Sequence, residues 1–331
     1  MRFHQLDLNL LFALDILLEE QNITRAAERL HMTQSATSGV LSRLRAYFDD
    51  ELLVQVGRTM QPTPYAKQLE LPVREVLLTI QSSITAKPVL DLSTSKRHFR
   101  LIISDYLIST VFATVVQEAY RQAPQISFEL ISPGDTSYHL LSRGEIDLMI
   151  CPEQYLTSEH PSERIFDEEH VCVIWKDNTE IGEILSLEQY LEAGHVATGF
   201  GRNRRMGIEE WFMSEYGCAR RIEVVTNNFT TLPQLVVGTH RIATMHRRLA
   251  IQFAALMPLR ILPAPVKLPT ITECMTWHRS MECDPMLRWL RRVILDTMSQ
   301  PEPTTVAPLA NAGVLRQDFT DHFRSLAPSR N

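Results

Sequence analysis

The stretch that most constrains this chain is Asn22–Phe48, NITRAAERLHMTQSATSGVLSRLRAYF. Its spacing predicts two helices joined by a tight turn. The first spans about Thr24 to Leu30, with Thr24 as N-cap and Ala26, Ala27 and Leu30 on one apolar face. His31–Met32–Thr33 makes the turn, and Thr33 can cap the second helix. In that helix Ala36, Val40, Leu41, Leu44 and Phe48 recur at helical steps and should face a core. Ser35, Ser38, Ser42 and Arg45 recur on the other side, with Gln34 in the first turn. Short hydrogen-bonding side chains on the outer N-terminal face suit the DNA major groove. Taken alone, the stretch fits an ordinary αα-hairpin with a solvated face equally well.

Its surroundings separate the two readings. A leucine-rich segment precedes it (Leu8, Leu11, Leu14, Leu18), and Asp50–Gln61, DELLVQVGRTMQ, follows. Gly57–Arg58 suits the tip of a β-wing, and Pro62–Thr63–Pro64 comes next. TRAAERLHMTQSA, the S-x-x-L-x-x-L of Ser38–Leu44, then ELL, GR and TP occur in order. This set resembles the N-terminal winged helix-turn-helix of LysR-type transcriptional regulators. The expected DNA-binding residues are Thr33, Gln34, Ser35, Thr37, Ser38, Arg43 and Arg58. Gln34, Ser35 and Ser38 would face base edges, and Arg43 or Arg58 the backbone or minor groove. Gly39 and Gln55 depart from the family, which often carries Arg at both positions.

The chain has 331 residues, enough for two or three domains, and an ordinary globular balance of 44% hydrophobic and 22% charged residues. Net charge is −6, so the molecule is no polycation. Only the local field helps a DNA reading: Thr24–Phe48 holds four Arg and one Glu, a net of +3. The five cysteines have no C-x-x-C spacing, which argues against a zinc site or disulfide framework and fits a reducing cytoplasm. Asp7, Asp15, Glu19 and Glu20 interrupt the N-terminal apolar run, so no signal peptide is expected there. No apolar run approaches the ~20 residues of a membrane helix.

Residues 1–62 are read as the DNA-binding domain and 63–90 as a linker. Tyr65 to about Ile84 is expected as one long helix, kinked at Pro72, since an interior proline costs ~3 kcal/mol. Ala66, Leu69, Val73, Val76, Leu77, Ile80 and Ile84 make a nearly heptad stripe. Pairing with a second copy would cover it, and packing on its own chain is the alternative. Ala86–Lys96 is a polar hinge with Pro88. Residues 91–299 then change grammar: short strands such as Phe99–Ser104, Ile126–Ser132 and Asp147–Cys151 alternate with helices such as Tyr106–Arg121 and Tyr138–Arg143. A second series starts at Val171–Trp175 and includes helix Met206–Tyr216. Such alternation predicts an α/β fold with parallel sheets covered on both faces. The resemblance adds that two doubly wound subdomains, like those of periplasmic binding proteins, would be crossed twice by the chain. Subdomain one would be 97–165 plus 272–298, and subdomain two 166–271. Residues 300–331, proline-bearing and without strong periodicity, read as a disordered tail with a short helix near Val314–Phe323.

Open α/β sheets take ligands outside the carboxyl ends of their strands. Four strand-end segments qualify, and from them Ser104, Asp105, Pro133, Gly134, Gly199, Arg202, Asn228, Phe229 and Thr230 are the expected effector-binding residues. Phe229 offers a ring, and the hydroxyls and amides offer partners for oxygen substituents. Each segment could equally be a plain connecting loop. Enzyme signatures are weak: Gly199-x-Gly201 has Arg204 where a dinucleotide fingerprint needs glycine, and neither G-x-S-x-G nor H-E-x-x-H occurs. His240 and His246 have the wrong spacing for a helical metal face and read as surface or structural. GHVATGFGRNRRMGIEEWF, NNFTTLPQLVVGTHRIATMHRRLA and MRFHQLDLNLLFALD resemble the LysR branch that contains the flavonoid-responsive nodulation activators, near which lie regulators of aromatic-compound degradation. That resemblance implies a cytoplasmic activator without cofactor, acting as a homodimer or homotetramer on promoter DNA, contacting RNA polymerase and answering to a small aromatic inducer. A repressor, a regulator answering to an organic acid or amino acid, and a solute-binding or catalytic α/β protein are the alternatives.

Overall fold

A computed structural model describes residues 7–57, 59–84, 91–199 and 220–298. The expected helix Met206–Tyr216, residues 86–90 of the expected hinge Ala86–Lys96, and the tail 300–331 lie outside the described residues. Among those described, no helix is long and apolar enough to cross a membrane.

The head begins with α1 (Leu8–Glu20), capped by the Asp7 carboxylate on Asn9 N. Leu14 and Leu17 of this helix are fully buried, each worth about 1.5–3 kcal/mol relative to exposure. Helix α2 (Ile23–Arg29) starts a residue earlier than expected. Asn22, not Thr24, is its cap, accepting from Thr24 N and Arg25 N at 2.9 and 3.1 Å. The turn reverses at His31, which takes a left-handed φ of 54°. Thr33 caps α3 (Gln34–Phe48), accepting from Ala36 N at 3.2 Å. Leu41 and Leu44 reach the core as expected, but the first turn is rotated from the expectation. Ala36 is exposed, and Thr37 is buried with its hydroxyl donating to Thr33 O at 3.1 Å. Strands β1 (Leu53–Val56) and β2 (Thr59–Pro62) pair antiparallel as the wing, with Gly57 at φ 65° in its turn.

Helix α4 (Pro64–Thr79) runs through Pro72 and continues as a π-helical segment, Ile80–Ile84. Its stripe is partly covered by its own chain. Ala66 and Val73 are buried in the head core, with Leu69 and Leu77 packed against it. Leu78 joins the core of the effector domain instead. Leu71 and Val76 stay exposed at 52% and 44%. Leu78 fits there because residue 144 is glycine: a Cβ at Gly144 would lie 2.3 Å from its Cδ1, and Gly144 has φ 63°.

The effector half holds two five-stranded sheets. In the first, β3 (His98–Ile102) lies between β4 (Ser127–Ile131) and β5 (Leu148–Pro152), all parallel. Next to β5 comes β12 (Ile271–Thr276), antiparallel, and then β6 (Ser162–Glu168) at the edge. In the second, β8 (Gly194–Thr198) lies between β9 (Arg221–Thr226) and β10 (Ile242–His246), all parallel, with β7 (His170–Trp175) and β11 (Leu259–Leu262) added antiparallel. The sheets are therefore mixed, where alternation predicts parallel ones. The reason is that β7 and β12 are laid down as the chain passes from one sheet to the other and back, without a crossover helix. Strand β6 is not apparent from the sequence, and it carries the first sheet to Glu168, beyond the expected boundary at 165. Helices include α5 (Asp105–Leu107), α6 (Ala113–Gln122), α7 (Ser137–Ser142), α8 (Leu187–Glu192), α9 (Leu232–Val236), α10 (Arg247–Ala254) and α11 (Pro285–Met298).

Arg74 on α4 ties the head to the effector half. It pairs with the Asp15 carboxylate of α1 and donates from Nε to Arg143 O at 2.7 Å. Asp15 is only 7% exposed. Replacing Arg74 by Met would leave that carboxylate buried without its charge partner. The full chain should lose about 3–5 kcal/mol in a denaturant titration, and a loss under about 1 kcal/mol would show the pair to be peripheral.

Candidate nucleic-acid interface and effector cleft

The exposed face of α3 carries Gln34, Ser35, Ser38, Ser42 and Arg43. Two of the small hydroxyls are held locally. Ser38 donates to Gln34 O at 2.9 Å, and Ser35 lies 3.1 Å from the Thr33 hydroxyl. Thr33 is exposed but serves as the cap. Thr37, expected among the groove-facing residues, points into the core and presents no face to DNA. Arg58 lies outside the described residues. A concavity of about 410 Å³ separates α3 from the wing, with Ser38, Arg45, Val54 and Gln55 in its lining.

The local positive field is smaller than counting suggests. Arg25 and Arg29 pair with Glu20 at 3.0 and 2.7 Å, and the Arg29 hydrogen bond holds the Glu20 carboxyl below its usual range. Arg45 pairs with Glu51 at 3.2 Å and donates to Glu51 O and Leu53 O at 2.8 and 2.7 Å, bracing the wing. These acids come from α1 and the α3–β1 turn, outside Thr24–Phe48. Such exposed pairs are weak, so they can yield to phosphate.

In the effector half, Ser104, Asp105, Pro133 and Gly134 follow strands of the first sheet, and Gly199, Asn228, Phe229 and Thr230 follow strands of the second. Arg202 lies outside the described residues. The fold brings Asp105, Phe229 and Thr230 together, and they bind each other. The Asp105 carboxylate accepts from Phe229 N at 3.1 Å and from Thr230 N and the Thr230 hydroxyl at 2.8 Å each. Phe229 packs edge-on to Tyr106 and His246, at 6.1 and 4.5 Å between ring centres. Ser104 caps α5 through Leu107 N at 3.4 Å, and Gly134 N donates to the Ser137 hydroxyl at 2.9 Å. Asn228 accepts from the Thr231 hydroxyl within its own loop. Pro133 is half-buried, and Gly199 N donates to Thr226 O at 2.9 Å.

Beneath these contacts lies a cluster that sequence reading missed. Glu168, buried at the end of β6, accepts from the Tyr106 hydroxyl at 2.8 Å and pairs with Arg248 at 3.1 Å. Tyr106 stacks on His246 at 3.9 Å, and His170 lies 5.5 Å from the same imidazole. Burial keeps both histidines neutral, with His170 pushed down to about 4. Glu273 on β12 is 2% exposed, and its Oε2 has no hydrogen-bond partner among the described residues. Burial, with nearby Glu168 as the lesser cause, pushes its carboxyl up to about 8. No short motif joins these residues; only the two crossings bring them together. His246 is thus structural, whereas His240 is largely exposed. Among the described residues no His, Cys, Asp and Glu group could hold a metal ion. A separate concavity of about 600 Å³ lies elsewhere in the second subdomain, lined by Glu180, Glu192, Arg221, Glu223 and Arg241.

Glu273 makes stability depend on pH. From its ordinary value of 4.5 up to about 8, the folded chain holds a proton that the unfolded chain releases. Its contribution therefore falls as pH rises through that window. Glu273→Gln should be more stable than the parent at about pH 9, by on the order of a few kcal/mol, and differ little at about pH 4. Unfolding midpoints at both values test this, and an equal difference at the two would refute it.

Residues 8–67 match the family model "Bacterial regulatory helix-turn-helix protein, lysR family", and residues 93–299 match "LysR substrate binding domain". The chain is 45% identical over 299 residues to Nodulation protein D 1 of Bradyrhizobium diazoefficiens, covering 90% of this chain and 95% of that protein. It is 43% identical over 303 residues to Nodulation protein D 1 of Rhizobium meliloti, covering 92% and 98%. Among solved structures, a probable transcriptional regulator from Pseudomonas aeruginosa aligns with a TM-score of 0.59 at 25% identity, covering 88% of this chain and 97% of that one. ArgP from Mycobacterium tuberculosis aligns with a TM-score of 0.65 at 16% identity, covering 89% and 98%, a likeness of fold. With its helix-turn-helix head and its two-sheet effector half both matched, the chain belongs to the LysR family of transcriptional regulators.

Proposed function

We propose that this LysR-family regulator is a cytoplasmic activator of the nodulation type, switched by a small aromatic, phenolic inducer taken up between its two effector subdomains. The observation that carries the DNA side is the exposed polar face of α3, with Gln34, Ser35 and Ser38 beside the wing. The inducer reading is supported by relatives named nodulation protein D at 43–45% identity over nine-tenths of the chain. It is supported too by the polar and aromatic groups at facing strand ends, namely Ser104, Asp105, Asn228, Phe229 and Thr230. An inducer would change how the subdomains meet, and Arg74 and Leu78 would pass that change to the head. RNA polymerase is the partner expected for an activator.

A gel-shift titration on the protein's own upstream region tests the DNA side. Ser38→Glu puts negative charge at the groove and should abolish specific binding through phosphate repulsion. Unchanged affinity would exclude this face. The exposed Leu71 and Val76 support self-association through α4 as a homodimer or homotetramer. Leu71→Lys with Val76→Lys should reduce the mass seen by light scattering, and an unchanged mass would remove α4 from the interface.

A further inference from the structure

We infer that Asp105 is a latch across the effector cleft, tying its two walls together and biasing it towards uncharged hydroxylated ligands over carboxylates. This rests on the reading that the cleft is the inducer site. Asp105 follows the first strand of one subdomain, and its three donors sit after a strand of the other. The carboxylate therefore ties the two bodies directly, with hydrogen bonds strengthened by its charge. Ser109 adds a second tie, its hydroxyl donating to Gln252 Oε1 at 3.1 Å. Phe229 is held in the same place by Tyr106 and His246, so ring and amides are engaged together.

A ligand entering here must take over the donors that Asp105 now occupies. A carboxylate would bring a second negative charge beside the Asp105 carboxylate and compete with it for the same donors. An uncharged phenol bearing a carbonyl avoids this. Its carbonyl can accept from the Phe229 and Thr230 amides, while its hydroxyl donates to the displaced Asp105 carboxylate. The same charge thus ties the two subdomains together and sorts what may come between them.

Hydrogen exchange on the full chain without ligand reads the latch directly. In Asp105→Ala the Phe229 and Thr230 amides should exchange at least about ten-fold faster than in the parent, and Asp105→Asn should fall between. Unchanged exchange in both variants would overturn the latch. Calorimetry with a matched pair, 4-hydroxyacetophenone and 4-hydroxybenzoate, reads the sorting. The parent should bind the ketone at least about ten-fold more tightly, and Asp105→Asn should narrow that ratio. Equal binding of both by the parent, or a ratio unmoved by Asp105→Asn, would overturn the charge bias. If neither probe binds either protein, the aromatic reading fails, while the exchange data still decide the latch.

Discussion

The antiparallel pairing of β6 with β12 is the interaction on which the effector half depends. These strands carry the chain out of the first sheet and back into it, and their register sets Ile271 opposite Glu168. Two bodies joined by two adjacent strands can rotate relative to each other but cannot slide far apart. The buried cluster forms where the strands meet. Glu168 reaches Tyr106 on its own subdomain and Arg248 on the other, so one carboxylate satisfies groups from both. A buried charge is tolerated only when paired and hydrogen-bonded. The crossing can therefore be polar because those partners are in place, and burial pushes the neighbouring Glu273 carboxyl, whose Oε2 has no hydrogen-bond partner among the described residues, up to about 8.

The head depends on a simpler constraint. It is a small core built around Leu14, Leu17, Leu41 and Leu44, too small to close by itself. Helix α4 completes it, burying Ala66 and Val73, and then delivers Leu78 into the effector core. One helix thus belongs to two cores. Arg74 marks the changeover, paired with Asp15 on one side and bound to the Arg143 carbonyl on the other. The first subdomain and α1 thus meet on one mostly buried side chain.

The facing strand ends show how the fold manages its own polarity. Strand-end amides are strong donors that need partners when buried. Asp105 supplies one for Phe229 and Thr230, while Thr231 and Asn228 satisfy one another within their loop. Several residues expected to bind an inducer are therefore engaged with one another.

Much of the head was legible because its signals are local. Thr33 as a cap, Leu41 and Leu44 at helical spacing, and Gly57 in a wing turn each depend on residues a few positions away. The exceptions are instructive. Asn22 rather than Thr24 caps α2, accepting from both Thr24 N and Arg25 N, and Thr37 rather than Ala36 turns inward, its hydroxyl satisfied by Thr33 O. The alternation of strands and helices likewise announced an α/β fold, and the family resemblance supplied its division into two bodies. Strand direction, the extra strand β6, the sharing of Arg25, Arg29 and Arg45 with acids outside their window, and the Tyr106–Glu168–His246 cluster were decided only by tertiary structure. The physical reason is range. Capping and periodicity act within one or two turns, whereas ion pairs and buried polar groups join residues that are distant in sequence and adjacent only once the chain has crossed between its sheets.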